Sequence, residues 1–475
     1  MQRRRFLSLF GAGALAAALP VMRCGSRRRP NFIVILVDDL GWTDLGCTGS
    51  DLHRTPNIDR LAGGGVRFTH AYSACTVCSP TRAAMMTGKY PARLHITDWI
   101  TGHKYPWARL LPPEWTKHLP LEQVTAAEVL RDAGYATAHI GKWHLGDAPY
   151  WPEHQGFDLN IAGYNAGQPP SYFYPYQREG SWNSHIPTLE GGEEGEYLTD
   201  REAMEACRFI EDNRDRPFFL YLAHYAVHTP LQAKADKIEA CRTRLRPGLR
   251  HDNPVYAAMV ESVDESLGTI ETKLSELGLL ENTVILFTGD NGGLILRDVT
   301  DNSPLRSGKG SPYEGGVRVP LICRAPGTGG AGTECAEPVM TIDVLPTLAA
   351  MAGVTLPGEA DGLDLSPLLR DPGSSLGREA LFWHYPHYHP GGSTPYGAVR
   401  KGAWKLIEFY EDGRLELYNL LDDVGESRNR VSEEPELAQQ MHGLLVQWRE
   451  AVDAQMPRPN PDYDPDRAGQ SRGAW

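Results

Sequence analysis

The sequence of 475 residues has little positive charge, few cysteines and no apolar run of the ~20 residues that a membrane-spanning helix needs. Lys and Arg total 47 against 60 Asp and Glu, so the formal charge is −13, which excludes a protein that binds nucleic acid through bulk positive charge. The 8 Cys stand at irregular spacings, which excludes a small disulfide-stapled scaffold. With 41% hydrophobic and 23% charged residues, the composition is that of a folded, enzyme-sized protein.

Residues 1–29 have the composition of an export signal rather than of a folded domain. The run Arg3-Arg4-Arg5-Phe6-Leu7 opens an apolar stretch, rich in Ala and Gly, that ends at residue 21. This stretch is too short to span a membrane, which favours a cleavable signal over a stable transmembrane anchor. The paired arginines resemble the twin-arginine signal, which carries folded proteins across the bacterial inner membrane. We therefore expect an exported, periplasmic protein.

Removal of this signal makes the mature chain strongly acidic. Residues 1–29 contain seven arginines and no acidic residue, so the remaining chain has a formal charge of −20. A pocket for a polyanionic substrate must then be locally neutral or basic. Cys24 is a candidate for lipid attachment, although Arg23 before it is not the small residue that such sites prefer.

Four apolar runs end in polar or charged residues. Residues 31–37 are mostly β-branched or aromatic, which is typical of a strand covered on both faces in a parallel sheet, and the runs 136–140, 218–222 and 283–288 resemble it. The residues that follow the four runs are Asp38 and Asp39, Lys142 and His144, His224 and His228, and Asp290 and Asn291. Ligands of open α/β sheets bind outside the carboxyl ends of the strands, so we expect one active site there. The alternative is that these residues only begin the next turns.

The regions between and after these runs predict helices and a smaller C-terminal unit. An amphipathic helix is predicted from Asn253-Pro254, and a helix-like stretch covers residues 340–352. A domain boundary is predicted near residues 371–378. The C-terminal pattern then predicts an antiparallel sheet over residues 397–409 and 414–420, a helix over 435–451 and an extended tail from residue 456.

These patterns define three predicted parts of the chain. They are an export signal over residues 1–29, a catalytic domain over 30–372 and a C-terminal subdomain with its tail over 373–475. The predicted fold class is α/β, with a large, mostly parallel sheet between helices and a smaller antiparallel sheet with one helix.

Cys78 stands at the start of a predicted helix. In Cys78-Ser79-Pro80-Thr81-Arg82, Ser79 is placed to cap the helix, Pro80 suits its first turn, and Gly88 suits its end. The helix N-terminus favours an anion, and Arg82 adds a cation one turn later. The alternative is a buried structural cysteine, as many free cysteines are.

The motifs together resemble the type I sulfatases of the alkaline-phosphatase-like superfamily. The resemblance covers nearly the whole mature chain. It rests on Cys-x-Pro-Thr-Arg at residues 78–82, Thr-Gly-Lys-Tyr-Pro at 87–91, Asp38-Asp39, Gly141-Lys142-Trp143-His144-Leu145-Gly146, Gly156-Phe157-Asp158, His228-Thr229-Pro230, Thr288-Gly289-Asp290-Asn291-Gly292, Lys309-Gly310 and Glu314 through Pro320.

This resemblance implies a sulfuric ester hydrolase whose nucleophile is a modified Cys78. A maturation enzyme would oxidise Cys78 to formylglycine, whose hydrate carries two hydroxyl groups on one carbon. The resemblance places Arg82 and Lys142 on the formylglycine oxygens and His228 and Lys309 on the sulfate, one of them protonating the leaving alcohol. His144 would accept the proton of the second hydroxyl, so that sulfate leaves and the aldehyde is regenerated.

A divalent cation is the implied cofactor. Carboxylate and amide oxygens form a hard-oxygen site that suits Ca²⁺, with Mg²⁺ less favoured. The expected ligands are Asp38, Asp39, Asp290, Asn291 and one hydroxyl of the modified Cys78. The cation would act as a Lewis acid on the sulfate.

The substrate is predicted to be a sulfated sugar or polysaccharide, and its recognition residues are the least determined part of the site. Aromatic faces beside polar groups suit a sugar ring, although they equally suit packing between the two domains. The candidates are His95, Asp98, Trp99, His103 and Lys104, together with Trp383, His384 and His387 in the stretch 382–388. That stretch resembles bacterial sulfatases named for N-acetylgalactosamine or galactose sulfates.

Two other functions remain open at this point. Phosphonate monoester and phosphodiester hydrolases of the same superfamily share the Cys-x-Pro-x-Arg signature and the acidic residues. A non-catalytic, exported glycan-binding protein would be favoured if Cys78 stayed unmodified.

Overall fold

The computed structural model describes residues 29–470, so the predicted export signal, apart from Arg29, and Cys24 lie outside the described residues. The strands are β1 (Asn31–Val37), β2 (Val66–Phe68), β3 (Ala71–Tyr72), β4 (Leu110–Leu111), β5 (Ala136–Gly141), β6 (Leu159–Ile161), β7 (Phe218–His224), β8 (Thr283–Gly289), β9 (Leu321–Arg324), β10 (Thr333–Cys335), β11 (Val339–Met340), β12 (Leu381–Tyr385), β13 (Tyr396–Lys401), β14 (Trp404–Phe409), β15 (Arg414–Asn419) and β16 (Arg458–Pro459).

The helices alternate with these strands. They are α1 (Pro56–Gly64), α2 (Cys78–Thr87), α3 (Pro91–Leu94), α4 (Ala126–Asp132), α5 (Leu198–Asp212), α6 (Ala235–Arg242), α7 (Pro254–Glu276), α8 (Glu314–Val317), α9 (Val344–Ala352), α10 (Ser366–Arg370) and α11 (Pro435–Ala451). Within residues 29–470, none of these helices combines the length and the apolar character needed to cross a membrane.

The central sheet has the strand order β10-β2-β9-β8-β1-β7-β5-β6. Strand β1 pairs in parallel with β7 and β8, so that Ile35 lies opposite Leu222 and Phe287. Strand β9 runs antiparallel to β8 and β2, which makes the sheet mixed but mostly parallel, as predicted. Every residue of β1, β7 and β8 is buried, because helices cover both faces of the sheet.

Each face of the sheet packs against its own set of helices. On one face, Leu61 of α1, Ile210 of α5 and Val263 of α7 join the apolar cluster that contains Ile35. The opposite cluster contains Val34 and is covered by α2, α4 and α9. The alternation of Val34 and Ile35 between the two clusters follows from the two-residue period of a strand.

Two helix starts show how the sequence sets local structure. Helix α7 begins as predicted, and the Asn253 side chain accepts hydrogen bonds from the backbone N–H groups of Val255 and Tyr256. For α2 the predicted cap is wrong, because the helix begins at Cys78 and Val77 occupies the cap position. The Ser79 hydroxyl instead accepts a hydrogen bond of 3.1 Å from the Ile100 backbone N–H, which fixes a neighbouring loop.

The C-terminal region forms the predicted antiparallel sheet and helix. Strands β12 to β15 are joined in sequence order, and α11 packs Met441 and Leu445 into the apolar cluster that contains Leu406 of β14. The same cluster contains Ala84 of α2 and Tyr72 of β3, so this sheet packs directly against the helix that carries Cys78.

A buried ion triad joins the C-terminal sheet to the rest of the chain. The Lys405 ammonium lies 3.0 Å from a carboxylate oxygen of Glu314 and 3.0 Å from one of Glu426, and all three side chains are 0% exposed. The other Glu426 oxygen accepts a hydrogen bond of 2.6 Å from the Glu314 backbone N–H. Burial raises the pKa of Glu426 to about 7, while Lys405 opposes that shift. Among residues 29–470, Lys405 is the one cation in contact with both carboxylates, so the triad depends on it.

Replacement of Lys405 with Met is expected to destabilise the protein by about 3–5 kcal/mol, because two buried carboxyl groups lose their shared cation. Denaturant unfolding of both proteins measures this loss. Lys401→Met is the matched control, since its ion pair with Glu379 is exposed and should contribute about 1 kcal/mol or less. Equal unfolding free energies for the two variants would contradict a structural role for the triad.

Candidate active site

The four strands that the sequence marked by polar ends lie side by side in the order β8-β1-β7-β5. Their carboxyl ends bring together Asp38 and Asp39 after β1, Lys142 and His144 after β5, His228 after β7, and Asp290 and Asn291 after β8. Residues of all four strand ends take part in one buried network of contacts. The expected convergence at one edge of the sheet is therefore present.

Three carboxylates form the centre of this site. The Asp39 backbone N–H donates a hydrogen bond of 3.1 Å to Asp290, and the Asn291 amide donates one of 2.7 Å to the Asp39 carboxylate. Asp38, Asp39, Asp290 and Asn291 are all 1% exposed or less. Asp39 has a φ of 60°, in the left-handed region, so the chain turns sharply between two adjacent carboxylates.

Three cations contact these carboxylates. Arg82 donates hydrogen bonds of 3.0 and 2.8 Å to one oxygen of Asp290, Lys142 contacts Asp38, and Lys309 lies 2.7 Å from an oxygen of Asp39. The three positive charges equal the three negative charges. A divalent cation would leave the site with two positive charges, which suits a bound sulfate anion.

The protein side chains present fit a metal ion. Ligand atoms of Asp38, Asp39, Cys78 and His228 all lie within 4.8 Å of one another, so the structure adds His228 to the ligands expected from sequence. Among the described residues, the side-chain oxygen of Asn291 is buried without a hydrogen-bond partner. An unpartnered buried amide oxygen beside carboxylates is a suitable ligand for a hard cation.

The orientation of the His228 ring is a second indication of a cation site. Its Nδ1 donates to the Thr229 carbonyl at 2.9 Å, which leaves Nε2 facing the Asp39 carboxylate at 3.6 Å. Burial and Lys309 lower the pKa of His228 to about 3, so the ring is neutral and Nε2 carries a lone pair. A lone pair facing a carboxylate is favourable when a cation lies between them.

Cys78 lies where the charged cluster meets an open pocket. Its sulfur is 3.5 Å from an Asp38 oxygen and 3.5 Å from the Lys309 nitrogen, and the residue is 2% exposed. Burial and the Asp38 carboxylate raise the pKa of the Cys78 thiol to about 12. The thiol is therefore protonated near neutral pH, which makes it a poor nucleophile as it stands.

His144 is held as a proton acceptor beside this pocket. Its Nε2 contacts the Ile100 carbonyl, which can only accept, so Nε2 carries the ring proton. Nδ1 is buried without a hydrogen-bond partner among residues 29–470, and burial and Lys142 lower the pKa of the ring. Gly167 packs against the ring, where a Cβ would lie 2.4 Å from a His144 carbon.

The pocket has a volume of about 80 Å³ and combines predicted residues with others that the sequence analysis missed. Its lining residues are Cys78, Trp99, Ile100, His103, His144, Gly167, Gln168, Trp182, His228, Lys309 and His389. Gln168, Trp182 and His389 lie outside the sulfatase-like motifs. The feature that indicates a functional role for Trp182 is its exposure of 76%, which is unusual for so large an apolar residue. This exposure is a property of the fold and could not be predicted from the sequence.

Two of the eight candidate substrate-binding residues, Trp99 and His103, line the pocket. The other six are not among its lining residues: His95, Asp98, Lys104, Trp383, His384 and His387. His95 hydrogen-bonds to the Asp453 carbonyl, and His384 is buried between the Tyr410 hydroxyl and the Gln455 carbonyl. His387 is buried against the Thr97 hydroxyl. His384 and His387 therefore serve packing, and the contact of His387 with Thr97 agrees with the packing alternative to sugar recognition.

The comparisons with known proteins decide the family. A profile described as Sulfatase matches residues 30–354, and one described as N-sulphoglucosamine sulphohydrolase, C-terminal, matches residues 308–451. The chain belongs to the sulfatase family. It is a sulfuric ester hydrolase, and sulfatases typically carry formylglycine and a divalent cation.

The similarity to known proteins covers most of this sulfatase. Human arylsulfatase A is 38% identical over 426 residues, which covers 84% of this chain and 78% of that protein. N-acetylgalactosamine-6-sulfatase of Mus musculus is 34% identical, covering 74% of this chain and 68% of that protein. The crystal structure of Ps i-CgsB in complex with k-i-k-neocarrahexaose has a TM-score of 0.77 and 30% identity, covering 92% of this chain and 95% of that chain. The alkaline-phosphatase-like fold is thereby confirmed.

Gly167→Ala is expected to lower sulfatase kcat by about 100-fold, because the added methyl group would push the His144 ring out of position. Steady-state kinetics with an aryl sulfate measures the loss, and thermal unfolding reports whether the fold is kept. Gly63→Ala is the control, since nothing lies within 4 Å of a Cβ there. Unchanged kcat in Gly167→Ala would refute the positioning of His144 by Gly167.

Proposed function

We propose that this sulfatase removes sulfate from a sulfated carbohydrate, with Cys78 converted to formylglycine and with a bound Ca²⁺. The observation that carries the proposal is the position of Cys78, buried between the charged cluster and the pocket, with its thiol protonated. Oxidation by a formylglycine-generating maturation enzyme would replace this thiol with an aldehyde, whose hydrate offers hydroxyl oxygens to the sulfate.

The cation is assigned to the buried oxygen atoms that cluster after strands β1 and β8, among which the Asn291 side-chain oxygen has no hydrogen-bond partner within residues 29–470. Asp38, Asp39, Asp290, the Asn291 oxygen and the modified side chain at position 78 would hold it, with His228 beside them. Oxygen ligands favour Ca²⁺ over transition metals, and Mg²⁺ is less favoured because it demands strict octahedral geometry. When bound, the cation would supply Lewis-acid charge neutralisation for the sulfate.

The side chains of the protein divide the remaining work. Arg82 and Lys142 hold Asp290 and Asp38 in place and would contact the oxygens of the modified residue 78. Lys309, which lines the pocket, carries a proton that it can donate to the leaving alcohol oxygen, whereas the Nδ1 proton of His228 is committed to Thr229. The Nδ1 atom of His144, which has no hydrogen-bond partner among the described residues, would accept the proton of the second hydroxyl of the modified residue 78. Loss of this proton permits the release of sulfate.

A carbohydrate substrate is supported by the pocket lining and by the relatives. Trp99 and the exposed Trp182 both line the pocket, and their rings suit the apolar face of a sugar. One relative is named for N-acetylgalactosamine 6-sulfate and a similar crystal structure holds a neocarrahexaose. We infer a sulfated sugar or polysaccharide as the substrate class. Phosphonate or phosphodiester hydrolysis and a purely glycan-binding role lose support, because the relatives are sulfatases and every expected catalytic position is filled.

The proposed route to the working enzyme includes export. The paired arginines at residues 3–5 favour the twin-arginine pathway and a periplasmic location, and Cys24 remains the candidate for a lipid anchor. Detection of the mature protein in a periplasmic fraction, and its loss on replacement of Arg4 and Arg5 with Lys, would support this route.

Mass spectrometry of the peptide that contains Cys78 tests the nucleophile. The expected mass differs from the unmodified peptide by the loss of one sulfur and two hydrogens and the gain of one oxygen. Cys78→Ala should abolish sulfate release, whereas Cys75→Ala, which changes a buried cysteine outside the pocket lining, should keep the modification. Sulfate release by Cys78→Ala at the wild-type rate would refute the assignment.

Metal removal tests the cation independently of turnover. Treatment with a chelator should lower the unfolding temperature, and Ca²⁺ at 100 times its Kd should restore about 2.7 kcal/mol of stability. Asn291→Ala should weaken this Ca²⁺ effect, while Asn165→Ala, an exposed residue, should leave it intact. An unfolding temperature that changes neither with the chelator nor with added Ca²⁺ would exclude a cation at this site.

A further inference from the structure

A second cavity of about 340 Å³ adjoins the active-site pocket. Gln168 lines both spaces, and Thr229 and Pro390 of the second cavity directly follow His228 and His389 of the first. The second cavity is therefore the continuation of the active site away from Cys78. Its volume is in the range of small-molecule sites.

The lining of this second cavity is positively charged. Its nine residues are Gln168, Arg178, Thr229, Pro230, Leu294, Leu296, Arg297, Val299 and Pro390, so it contains two arginines and no carboxylate. Within residues 29–470, no hydrogen bond or ion pair joins either guanidinium to another residue. Both arginines are exposed, so their guanidinium groups are accessible to an anionic ligand beside the active site.

Local structure connects both arginines to the reacting centre. Arg178 and Trp182 share one hairpin, whose backbone pairs Gln177 with His185 and joins the Arg178 N–H to the Ser184 carbonyl at 2.9 Å. This hairpin presents Trp182 to the active-site pocket and Arg178 to the second cavity. Arg297 follows the Asp290-Asn291 turn and has a φ of 60°, in the left-handed region that non-glycine residues adopt uncommonly.

We propose that Arg178 and Arg297 form a subsite for a second anionic group of the substrate, a sulfate or a carboxylate on the sugar next to the one that loses its sulfate. This inference rests on the proposed carbohydrate sulfatase function. Guanidinium groups bind both oxyanions through paired hydrogen bonds. The local positive charge also explains how a strongly acidic protein can admit a polyanionic glycan.

The test compares substrates that differ only in the second anion. Wild-type enzyme, Arg178→Gln/Arg297→Gln and the control Arg54→Gln, an exposed arginine outside both cavities, are assayed with 4-nitrophenyl sulfate, a monosulfated galactosamine disaccharide, and the same disaccharide with a second sulfate or with a uronate carboxylate. The wild type and the control are expected to prefer a disaccharide with a second anion. The double variant should lose about 10- to 100-fold of this preference in kcat/KM, mainly through KM.

The disaccharides with a second sulfate and with a uronate carboxylate identify the anion. The one with the higher kcat/KM shows whether the subsite binds sulfate or carboxylate. Equal losses for all substrates, or no preference in the wild type, would overturn the subsite. Absence of sulfate release from every substrate, 4-nitrophenyl sulfate included, would instead refute the proposed function. Calorimetric binding of the preferred disaccharide to Cys78→Ala protein then decides the subsite by itself, because the two arginine substitutions must weaken that binding by the same 10- to 100-fold.

Discussion

The active site depends on the burial of three negative and three positive charges at one edge of a mostly parallel sheet. Asp38, Asp39 and Asp290 are removed from water together with Arg82, Lys142 and Lys309, and each charge is tolerable only because its partners are within contact distance. Loss of one partner leaves an uncompensated buried charge, which costs more than the pair gains. The strand ends must therefore be placed accurately, and the strained turn at Asp39 and the packing of helices on both sheet faces follow from this requirement.

The same requirement explains why the C-terminal region is part of the active site. Lys405 of β14 is buried with Glu314, five residues after Lys309, so the small sheet fixes the loop that supplies one of the six charges. His389, between β12 and β13, lines the pocket and packs against Gly310, where a Cβ would lie 1.9 Å from its ring. Both halves of the molecule thus form the pocket wall, while the charged centre belongs to the central sheet.

The sequence was informative where function and backbone position coincide. Residues that follow buried strands, such as Asp38 and His228, could be predicted because parallel strands bring their carboxyl ends together. His95, His384 and His387 could not be excluded as substrate contacts, since an aromatic and polar stretch has the same composition in a sugar site and in a domain interface. Trp182, Arg178 and Arg297 lie in irregular loops without a periodic pattern, and their positions in the active-site pocket and the adjoining cavity exist only in the folded chain. Ser79 illustrates the smaller error, because a tertiary contact with Ile100 took the place of a local cap.

The 2% exposure of Cys78 also determines whether an enzyme can modify this residue before or after the chain folds. A pocket of about 80 Å³ admits a small ester group but not the active site of another protein. An enzyme that acts on the Cys78 side chain must therefore reach it while the chain is still unfolded, before α2 is covered by the C-terminal sheet. A route that exports folded protein would place this encounter at the ribosome or shortly after it, so the compartment of synthesis, and not the compartment of action, would determine whether the enzyme becomes active.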